Sequence, residues 1–405
     1  MTTLLTFLGT TPYKETTYVL ADKRYETCFC PAAVAHICEP EHTLVVVTQA
    51  AKARHYEDLA DEIAPDTKPV AVEIPDGHSE ADLWQIFDQL TDHIGQGEEL
   101  IVDITYGFRS LPFLSFLALA FLQVAKDATV KAVYYGAWDA RTEDNETPIF
   151  DLTLFVTLLD WTVATDQFLA TGDSDALAHR LQQSHQLPWK SKNRATAYDL
   201  PTNLKSTAGI LDKMGNVLRL VRPEDVMETA AALGPSLAAV EDEAGTWAKP
   251  FSLLMDRTAN DYTSLAFDGD PRDPANLRES LAKQRVLVEW YVKRRQYVQA
   301  IVLAREWIVS YATFLLDWDL LHDRKAAEKL LNVMAHLRRE EKILRMDSDN
   351  DEALGKAVAL WNKLPDLRND IAHVGMRRDP RSVASILKAA EALPADLATL
   401  PLPSR

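Results

Sequence analysis

The sequence predicts an α/β domain followed by an all-α domain. In the first 154 residues, short apolar runs rich in β-branched residues alternate with helical patterns. After about residue 155 the strand signal disappears and only helical patterns remain. The length of 405 residues fits two or three domains, and a hydrophobic share of 47% with a charged share of 25% is ordinary for a soluble globular protein.

Five runs in the first part are predicted as strands because they are apolar along most of their length: residues 3–9, 43–48, 69–74, 99–105 and 129–136. Helical patterns lie between the later ones, at residues 51–64, 80–94 and 111–125. This alternation predicts a Rossmann-like, doubly wound parallel sheet with helices on both faces. Residues 25–29 are a further candidate, either for an edge strand or for part of a hairpin.

The second part of the chain is predicted to be helical throughout. Its main features are helical patterns at 154–170 and 205–247, a loop rich in Asp, Pro and Gly at 267–276, and a long amphipathic run from 277 onward. We therefore expect a first domain over residues 1–154, a connecting helical region over 155–275, and a helical domain over 276–405.

Charge and cysteine content restrict the function. A net charge of −17 disfavours unspecific coating of nucleic acid, so any phosphate ligand must be bound locally. Cys28, Cys30 and Cys38 are odd in number and close together, which disfavours a disulfide framework and indicates a reducing cytoplasm. Three ligands for a metal are conceivable, but buried thiols are commoner, and we predict no metal site. The longest apolar run, 111–125, is too short to span a bilayer.

Two loops of the predicted sheet carry groups that bind anions. The first follows the first strand and contains Gly9, Thr10 and Thr11. The second follows the fourth strand and contains Thr105, Tyr106, Gly107, Arg109 and Ser110. Backbone N–H groups at a helix start, hydroxyls and one guanidinium suit a phosphate, and ligands of doubly wound sheets bind outside the carboxyl ends of the strands. The same residues also fit the plainer role of shaping and capping turns. Neither loop has a dinucleotide or phosphate-loop fingerprint, so a nicotinamide dehydrogenase is unsupported.

The stretch R-N-D-I-A-H near the C-terminus offers a second candidate site, formed by Arg368, Asn369 and His373. An Arg followed by a His at this spacing arises by chance in such a chain, and it does occur again at Arg180 and His185. The pattern alone is therefore weak.

The surroundings of Arg368 distinguish it from the second copy of the pattern. Asn369 follows directly, and Arg377, Arg378 and Arg381 add a local basic cluster to an acidic chain. A His can act as general acid or base, and an Arg can stabilise negative charge on a phosphate. The alternative is an exposed helix terminus with cations near its C-terminal end.

Together these segments resemble a known family. The stretches G-T-T-P-Y (9–13), D-I-T-Y-G-F-R-S (103–110), the exit segment 148–168, Q-A-I-V-L-A-R-E-W (299–307) and R-N-D-I-A-H (368–373) are similar to those of the CRISPR-associated ribonucleases that join a CARF sensor domain to a HEPN nuclease domain. The resemblance covers most of the chain and is weakest over roughly 175–275. Tyr106 stands where this family most often has His.

The resemblance implies a function for each part. A CARF domain over residues 1–154 would bind a cyclic oligoadenylate, most often cyclic tetra-adenylate, which type III CRISPR effector complexes make as a second messenger. A HEPN domain over 276–405 would cleave single-stranded RNA without a metal or cofactor. The carried-over ligand-binding residues are Gly9, Thr10, Thr11, Thr105, Tyr106, Gly107, Arg109 and Ser110, and the catalytic ones are Arg368, Asn369 and His373.

The expected protein is thus a cytoplasmic homodimer that the ring activates allosterically, and whether the dimers associate further stays open. Asp370 is expected to position Arg368. Two alternatives stay open at this point. One is a nucleotide sensor without catalysis, whose helical domain recruits a partner. The other is a CARF domain that also degrades its ligand.

Overall fold

The protein forms two compact units, residues 1–159 and 160–405. The computed structural model describes residues 1–63, 67–107, 111–190, 200–340 and 349–402.

The first unit is built on one eight-stranded sheet. Its strands are β1 (Thr2–Leu8), β2 (Thr16–Leu20), β3 (Lys23–Thr27), β4 (His42–Val47), β5 (Pro69–Glu73), β6 (Glu99–Asp103), β7 (Thr129–Gly136) and β8 (Glu146–Asp151). Their order in the sheet is β3-β2-β8-β7-β6-β1-β4-β5. The five predicted strands are β1, β4, β5, β6 and β7, and these pair in parallel. The predicted α/β class is confirmed.

Three strands at one edge make the sheet mixed, where an all-parallel sheet was predicted. β2 and β3 form an antiparallel hairpin, so the candidate strand at 25–29 belongs to a hairpin and lies at the sheet edge. β8 pairs antiparallel with β7 because the connecting residues 137–145 are too few for the crossover that a parallel pair needs. β2 then adds in parallel to β8.

Helices cover both faces of this sheet. They are α1 (Cys30–Cys38), α2 (Gln49–Ala51), α3 (Glu57–Ile63), α4 (Glu80–Asp92), α5 (Leu111–Ala125) and the start of α6 (Thr153–Thr171), whose residues from 160 onward belong to the second unit. One core joins a sheet face to α4, α5 and the start of α6, and another joins the opposite face to α1 and α3. A π-helical turn, Lys52–Tyr56, links α2 to α3. α1 was not predicted, because seven of its nine residues are buried and it shows no amphipathic period.

The second unit is all helical in its described residues, as predicted. Its helices are α7 (Asp175–Lys190), α8 (Leu204–Arg219), α9 (Pro223–Ala239), α10 (Glu241–Trp247), α11 (Lys249–Ser252), α12 (Met255–Thr263), α13 (Leu277–Lys293), α14 (Tyr297–Leu315), α15 (Arg324–Arg339), α16 (Asp349–Trp361), α17 (Leu364–Ala372) and α18 (Val383–Ala398). A single core runs from Trp161 to Leu400.

Helix α14 lies at the centre of this core. It packs against α13, α15, α16, α17 and α18, and it buries Trp307 and Tyr311 completely. Within the described ranges it is also the one helix long and apolar enough to cross a membrane, but 72% of its apolar window is buried inside the protein. Its apolar character is therefore explained by the core.

Candidate functional site

The two loops predicted to bind an anion meet at the switch point of the sheet. β1 lies between β4 and β6, so the strand order reverses there. β1 and β6 are parallel neighbours, and the loops that follow them leave the same edge. The approach is close, because a Cβ added to Gly9 would lie 3.4 Å from the carbonyl oxygen of Tyr106.

Two adjoining cavities open at this edge. One has a volume of about 210 Å³ and is lined by Thr11, Tyr13, Lys14, Tyr18 and Trp138 among others. The other has a volume of about 430 Å³ and includes Gly9, Thr10, Thr48, His78 and Gly107. Thr11, Thr105 and Tyr106 line both. The predicted loops therefore face a recess large enough for part of a nucleotide ligand.

Thr105 uses its hydroxyl inside the protein. The hydroxyl donates to Asp103 Oδ1 and accepts the backbone N–H of Gly136 at 2.8 Å. Asp103 is fully buried, and its other oxygen accepts from Thr6 at 2.7 Å. Burial raises the pKa of this carboxyl. Thr105 thus fixes the end of β6, and its hydroxyl is not free for a ligand.

Replacing Asp103 with Asn is expected to remove a pH dependence of stability. Because the folded pKa is raised, the charged carboxylate costs stability, and this cost grows as pH rises from the ordinary carboxyl pKa of about 3.9 through the raised value. An amide does not titrate and can still bond Thr6 and Thr105. In urea unfolding, the free energy of unfolding of Asp103→Asn relative to that of the wild type should rise by on the order of 1 kcal/mol between pH 4 and pH 7. Asp139→Asn, at an exposed site, is the control, and a gain independent of pH would contradict the prediction.

Tyr106 also points inward. Its hydroxyl donates to the carbonyl of Cys28 at 3.1 Å, lies 2.9 Å from the hydroxyl of Tyr18, and accepts the N–H of Cys30 at 3.2 Å. Its ring packs on Tyr13 with centroids 4.2 Å apart. Burial raises the pKa of the Tyr106 hydroxyl, which keeps it neutral. Tyr106 therefore joins the second loop to the β2–β3 hairpin and to α1.

The first loop is held from the π-helical turn. Arg54 Nη1 donates to the carbonyl of Thr10 at 2.6 Å, and His55 Nε2 lies 3.0 Å from the carbonyl of Thr11. Tyr13 accepts the N–H of Gly9 at 2.8 Å, so that backbone donor is occupied. The hydroxyls of Thr10 and Thr11 bond to no described residue, and both threonines are exposed. These two hydroxyls remain available to a ligand.

The second candidate site lies at the end of α17. Arg368 Nη1 donates to Asn369 Oδ1 at 3.0 Å, and both side chains are half-buried. His373 is the C-terminal cap of the helix, with its N–H bonded to the carbonyl of Asn369 at 2.9 Å. The exposed imidazole bonds to no residue that the structure describes. Arg368 is thus held in place, whereas His373 is open to solvent.

The turn after His373 is strained. Val374 has φ of 54° and Gly375 has φ of 70°, both in the left-handed region. Glycine adopts this region freely, but a β-branched residue there is a genuine outlier and costs of order 1–3 kcal/mol. The turn ends the helix by a bond from the N–H of Gly375 to the carbonyl of Asp370 at 3.0 Å.

The expected basic cluster is mostly neutralised. Arg377 pairs with Asp366 at 2.8 Å, and Arg381 pairs with the same carboxylate at 3.0 Å. Asp370 is buried and accepts the N–H of Arg381 at 3.3 Å, so the expectation that it positions Arg368 was wrong. Asn369 is the residue that bonds Arg368. The ion pairs fold the turn back on α17 and leave few cations free.

In the second copy of the Arg–His pattern, Arg180 has a structural role. Arg180 pairs with Asp160 at 3.1 Å within the second unit.

Over the described residues, no group of three His, Cys, Asp or Glu side chains is placed to hold a metal ion.

Comparison with known proteins identifies the first unit. Residues 3–139 match the family model of the CARF domain of the CRISPR system endoribonuclease Csx1. The first unit contains a CARF domain. Residues 157–266 match the second domain of the CRISPR-associated protein MJ1674. The chain therefore matches CRISPR-associated proteins over both of these segments.

Two individual proteins are similar to the chain. MJ1674 of Methanocaldococcus jannaschii is 28% identical over 109 residues, which are 26% of this chain and 17% of MJ1674. The chain thus matches only a small part of that relative's length. A structure of Enterococcus italicus Csm6 bound to cyclic hexa-2'-fluoro-hexa-dAMP aligns with 100% of this chain and 96% of that chain, at 11% identity and a TM-score of 0.42.

Within the CARF domain, sequence reasoning found the two loops but not the groups that support them. Gly9, Thr10, Thr11 and Gly107 line the cavities, whereas Thr105 and Tyr106 contribute mainly structural bonds. Arg109 and Ser110 lie outside the described residues. The residues that were missed are Arg54, His55 and Asp103. Only the pattern D-I-T, with an acid two positions before a hydroxyl, could have indicated Asp103.

Proposed function

We propose that the CARF domain binds a cyclic oligoadenylate and that this ligand switches on an RNA-cleaving site in the helical unit. The observation that carries the proposal is the meeting of the two loops at the switch point of a CARF sheet, with the hydroxyls of Thr10 and Thr11 bonded to no described residue. The family resemblance of both loops supports a ring of adenylates, and cyclic tetra-adenylate is the first choice. The protein would act in the cytoplasm, in antiviral defence.

The cavity groups suit such a ligand. The two threonine hydroxyls can donate to phosphate oxygens. Lys14 lines one cavity and Asp76 lines the other, while the guanidinium of Arg54 donates to the first loop at the carbonyl of Thr10. Trp138 lines the same cavity as Lys14 and can stack on an adenine. The CARF site thus combines local positive charge with an aromatic surface, which a nucleotide requires.

Replacing Arg54 with Gln should weaken binding of cyclic tetra-adenylate about tenfold. The change removes one charge near the phosphates and loosens the bond to the carbonyl of Thr10, and a bond from a charged donor contributes about 1.5–3 kcal/mol. Isothermal titration calorimetry on the full chain measures the effect. Arg24→Gln, which breaks an exposed ion pair with Glu146 on the outer strands, is the matched control. Equal affinities of the two variants would contradict the assignment of Arg54.

The chemistry proposed for the helical unit is metal-independent cleavage of single-stranded RNA. The 2′-oxygen attacks the adjacent phosphorus, its proton passes to a base, the bond from phosphorus to the 5′-oxygen breaks, and that oxygen receives a proton. The products are a 2′,3′-cyclic phosphate and a 5′-hydroxyl. We assign proton transfer to the open imidazole of His373 and charge stabilisation to Arg368, which Asn369 holds.

Two exposed apolar surfaces support a homodimer. The first, here called the α5 face, consists of Trp84 on α4, Phe113, Leu117, Phe121 and Val124 on α5, and Leu154, Phe155, Leu158 and Leu159 on α6. The second surrounds His373 and includes Val374 and Met376, which are 79% and 87% exposed. Exposed apolar side chains in such number favour an interaction site. A copy of the chain that covers Val374 would bring two His373 side chains together.

One experiment tests the whole proposal. Purified protein is incubated with a fluorescent single-stranded RNA in EDTA, and cyclic tri-, tetra- or hexa-adenylate is added in turn. We expect cleavage with one ring and little without it, and 2′,3′-cyclic phosphate ends on the products. Cleavage only after EDTA is replaced by a divalent metal would overturn the metal-independent chemistry. The absence of cleavage with every ring would overturn the ribonuclease assignment.

A further inference from the structure

A groove of about 300 Å³ lies between α17 and α18, beside the residues assigned to catalysis. Its floor is formed by leucines that are almost fully buried, among them Leu364, Leu367 and Leu393. Leu367 directly precedes Arg368 on α17. A groove of this volume is at the lower end of the range for small-molecule sites, so it fits one flat ring system.

Two lysines lie at the rim of the groove. Lys363 lines it from the start of α17 and Lys388 from α18, and neither pairs with a residue that the structure describes. This contrasts with Arg377 and Arg381 nearby, which Asp366 neutralises. Lys363 and Arg368 are five residues apart, about 7 Å along a helix axis. Positive charge therefore flanks the apolar floor, in a chain of net charge −17.

The groove also contains a carboxylate, in addition to the hydroxyl of Ser385. Asp396 of α18 lines it, is only half-buried, and its carboxylate bonds to no described residue. An ionised carboxylate only accepts hydrogen bonds. The occupant must therefore offer an apolar ring, a donor on its edge, and negative charge outside the groove. An acidic peptide fits worse, because its carboxylates would face Asp396.

We propose that this groove receives a nucleobase of single-stranded RNA, next to the phosphate held by Arg368. The proposal rests on the proposed ribonuclease function and extends it to base recognition. The phosphates on either side of the base contact Lys363 and Lys388, and Asp396 accepts from an exocyclic amino group. Adenine, guanine and cytosine carry such a group and uracil does not. The site therefore favours amino-bearing bases over uracil.

Binding of RNA that cannot be cleaved tests the groove separately from catalysis. Fluorescence anisotropy is measured on the full chain with 2′-O-methyl oligo-A, oligo-C and oligo-U, with cyclic tetra-adenylate present. Ala392 is exposed and lines the groove, so Ala392→Phe fills the space with little risk to the core. We expect Ala392→Phe to weaken oligo-A binding at least tenfold. Asp396→Ala should bring the affinities for oligo-A and oligo-U together.

Lys388 is expected to contribute to RNA binding in a different way from Asp396. Lys388→Ala should weaken all three oligomers alike and lower the salt dependence of binding by about one unit of slope. Lys213→Ala, at an exposed lysine of α8, is the matched control and should change neither. Circular dichroism confirms that each variant is folded.

Three results would overturn the groove assignment. The first is unchanged affinity of Ala392→Phe for oligo-A, and the second is unchanged discrimination between oligo-A and oligo-U in Asp396→Ala. The third is loss of self-association in Ala392→Phe without loss of RNA affinity, which would make the groove a protein interface. In each case, cleavage by the wild type with a ring still supports the proposed function. Failure of the wild type to cleave with any ring removes that function, and the anisotropy then still reports on the groove.

Discussion

Replacing His373 with Ala is expected to abolish ring-stimulated RNA cleavage while leaving ring binding intact. The imidazole is the side chain in the R-N-D-I-A-H segment that can serve as general acid or base, and it is exposed at the end of α17 with no described partner. General acid–base catalysis typically contributes about 10²–10⁴-fold to the rate, and the loss should be of this size. Stability should change little, because a solvent-exposed side chain without contacts contributes little to folding.

The chain supplies its own control for this variant. Arg180 and His185 repeat the Arg–His spacing in the same unit, so His185→Ala should keep its activity. Cleavage is measured as initial rates with saturating cyclic tetra-adenylate, and ring affinity is measured by calorimetry. Undiminished cleavage by His373→Ala would remove His373 from the mechanism. Loss of ring binding in this variant would instead indicate a folding defect.

Arg368→Ala should also reduce cleavage, and its effect should not add to that of His373→Ala. The reason is that both residues act on one phosphate in the proposed mechanism. Asn369→Ala should have a smaller effect, since Asn369 orients Arg368 through a single bond of 3.0 Å. This order of effects separates a catalytic pair from an ordinary charged helix end, where the three changes would be equally mild.

The α/β fold could be predicted because its central strands have a local signal. β1, β4 and β6 are buried on both faces, and such strands are apolar along their length. β2 and β8 lack this signal, since they alternate or contain Pro148, and their place depends on pairing with distant residues. Sequence patterns detect burial along one segment, but not which segments pair across the sheet.

The same contrast between local patterns and long-range contacts explains which site residues the sequence did not predict. The two anion-binding loops were predicted because glycine and hydroxyl residues follow strong strands. The support from Arg54 depends on the π-helical turn, which no local pattern in Lys52–Tyr56 indicates. Near His373, the sequence gives the number of cations but not their pairing, and Arg377 and Arg381 turned out to be bound to Asp366. Charge available to a ligand is a property of the fold.

Negative charge introduced into the α5 face is expected to have a second large effect, the loss of the dimer and of RNA cleavage. Phe113 and Phe155 are 65% and 66% exposed, so Phe113→Glu with Phe155→Glu should leave the core intact. Since an aromatic side chain offers about 150–250 Å², the nine residues of the face together expose on the order of 1,000 Å², compared with the roughly 800 Å² per partner of a standard interface. A monomer would not leave so much apolar surface in water without a function.

The double variant should be monomeric and should not cleave RNA at any ring concentration. The reason is that a second copy buries the α5 face in the proposed dimer, so four carboxylates would meet in that interface. Analytical ultracentrifugation measures the mass, and circular dichroism checks the fold. Val70→Glu, at a residue 49% exposed on the edge strand β5, is the control that adds charge outside the face.

The outcome also tests the link between assembly and chemistry. If one chain holds half of the RNA site, cleavage activity must fall in proportion to the fraction of dimer. Raising the protein concentration should then restore the dimer and the activity together. A double variant that stays dimeric would show that the α5 face is not the interface. A monomer that still cleaves RNA with normal ring dependence would show that His373 and Arg368 of one chain suffice, and that the apolar surface around Val374 has another role.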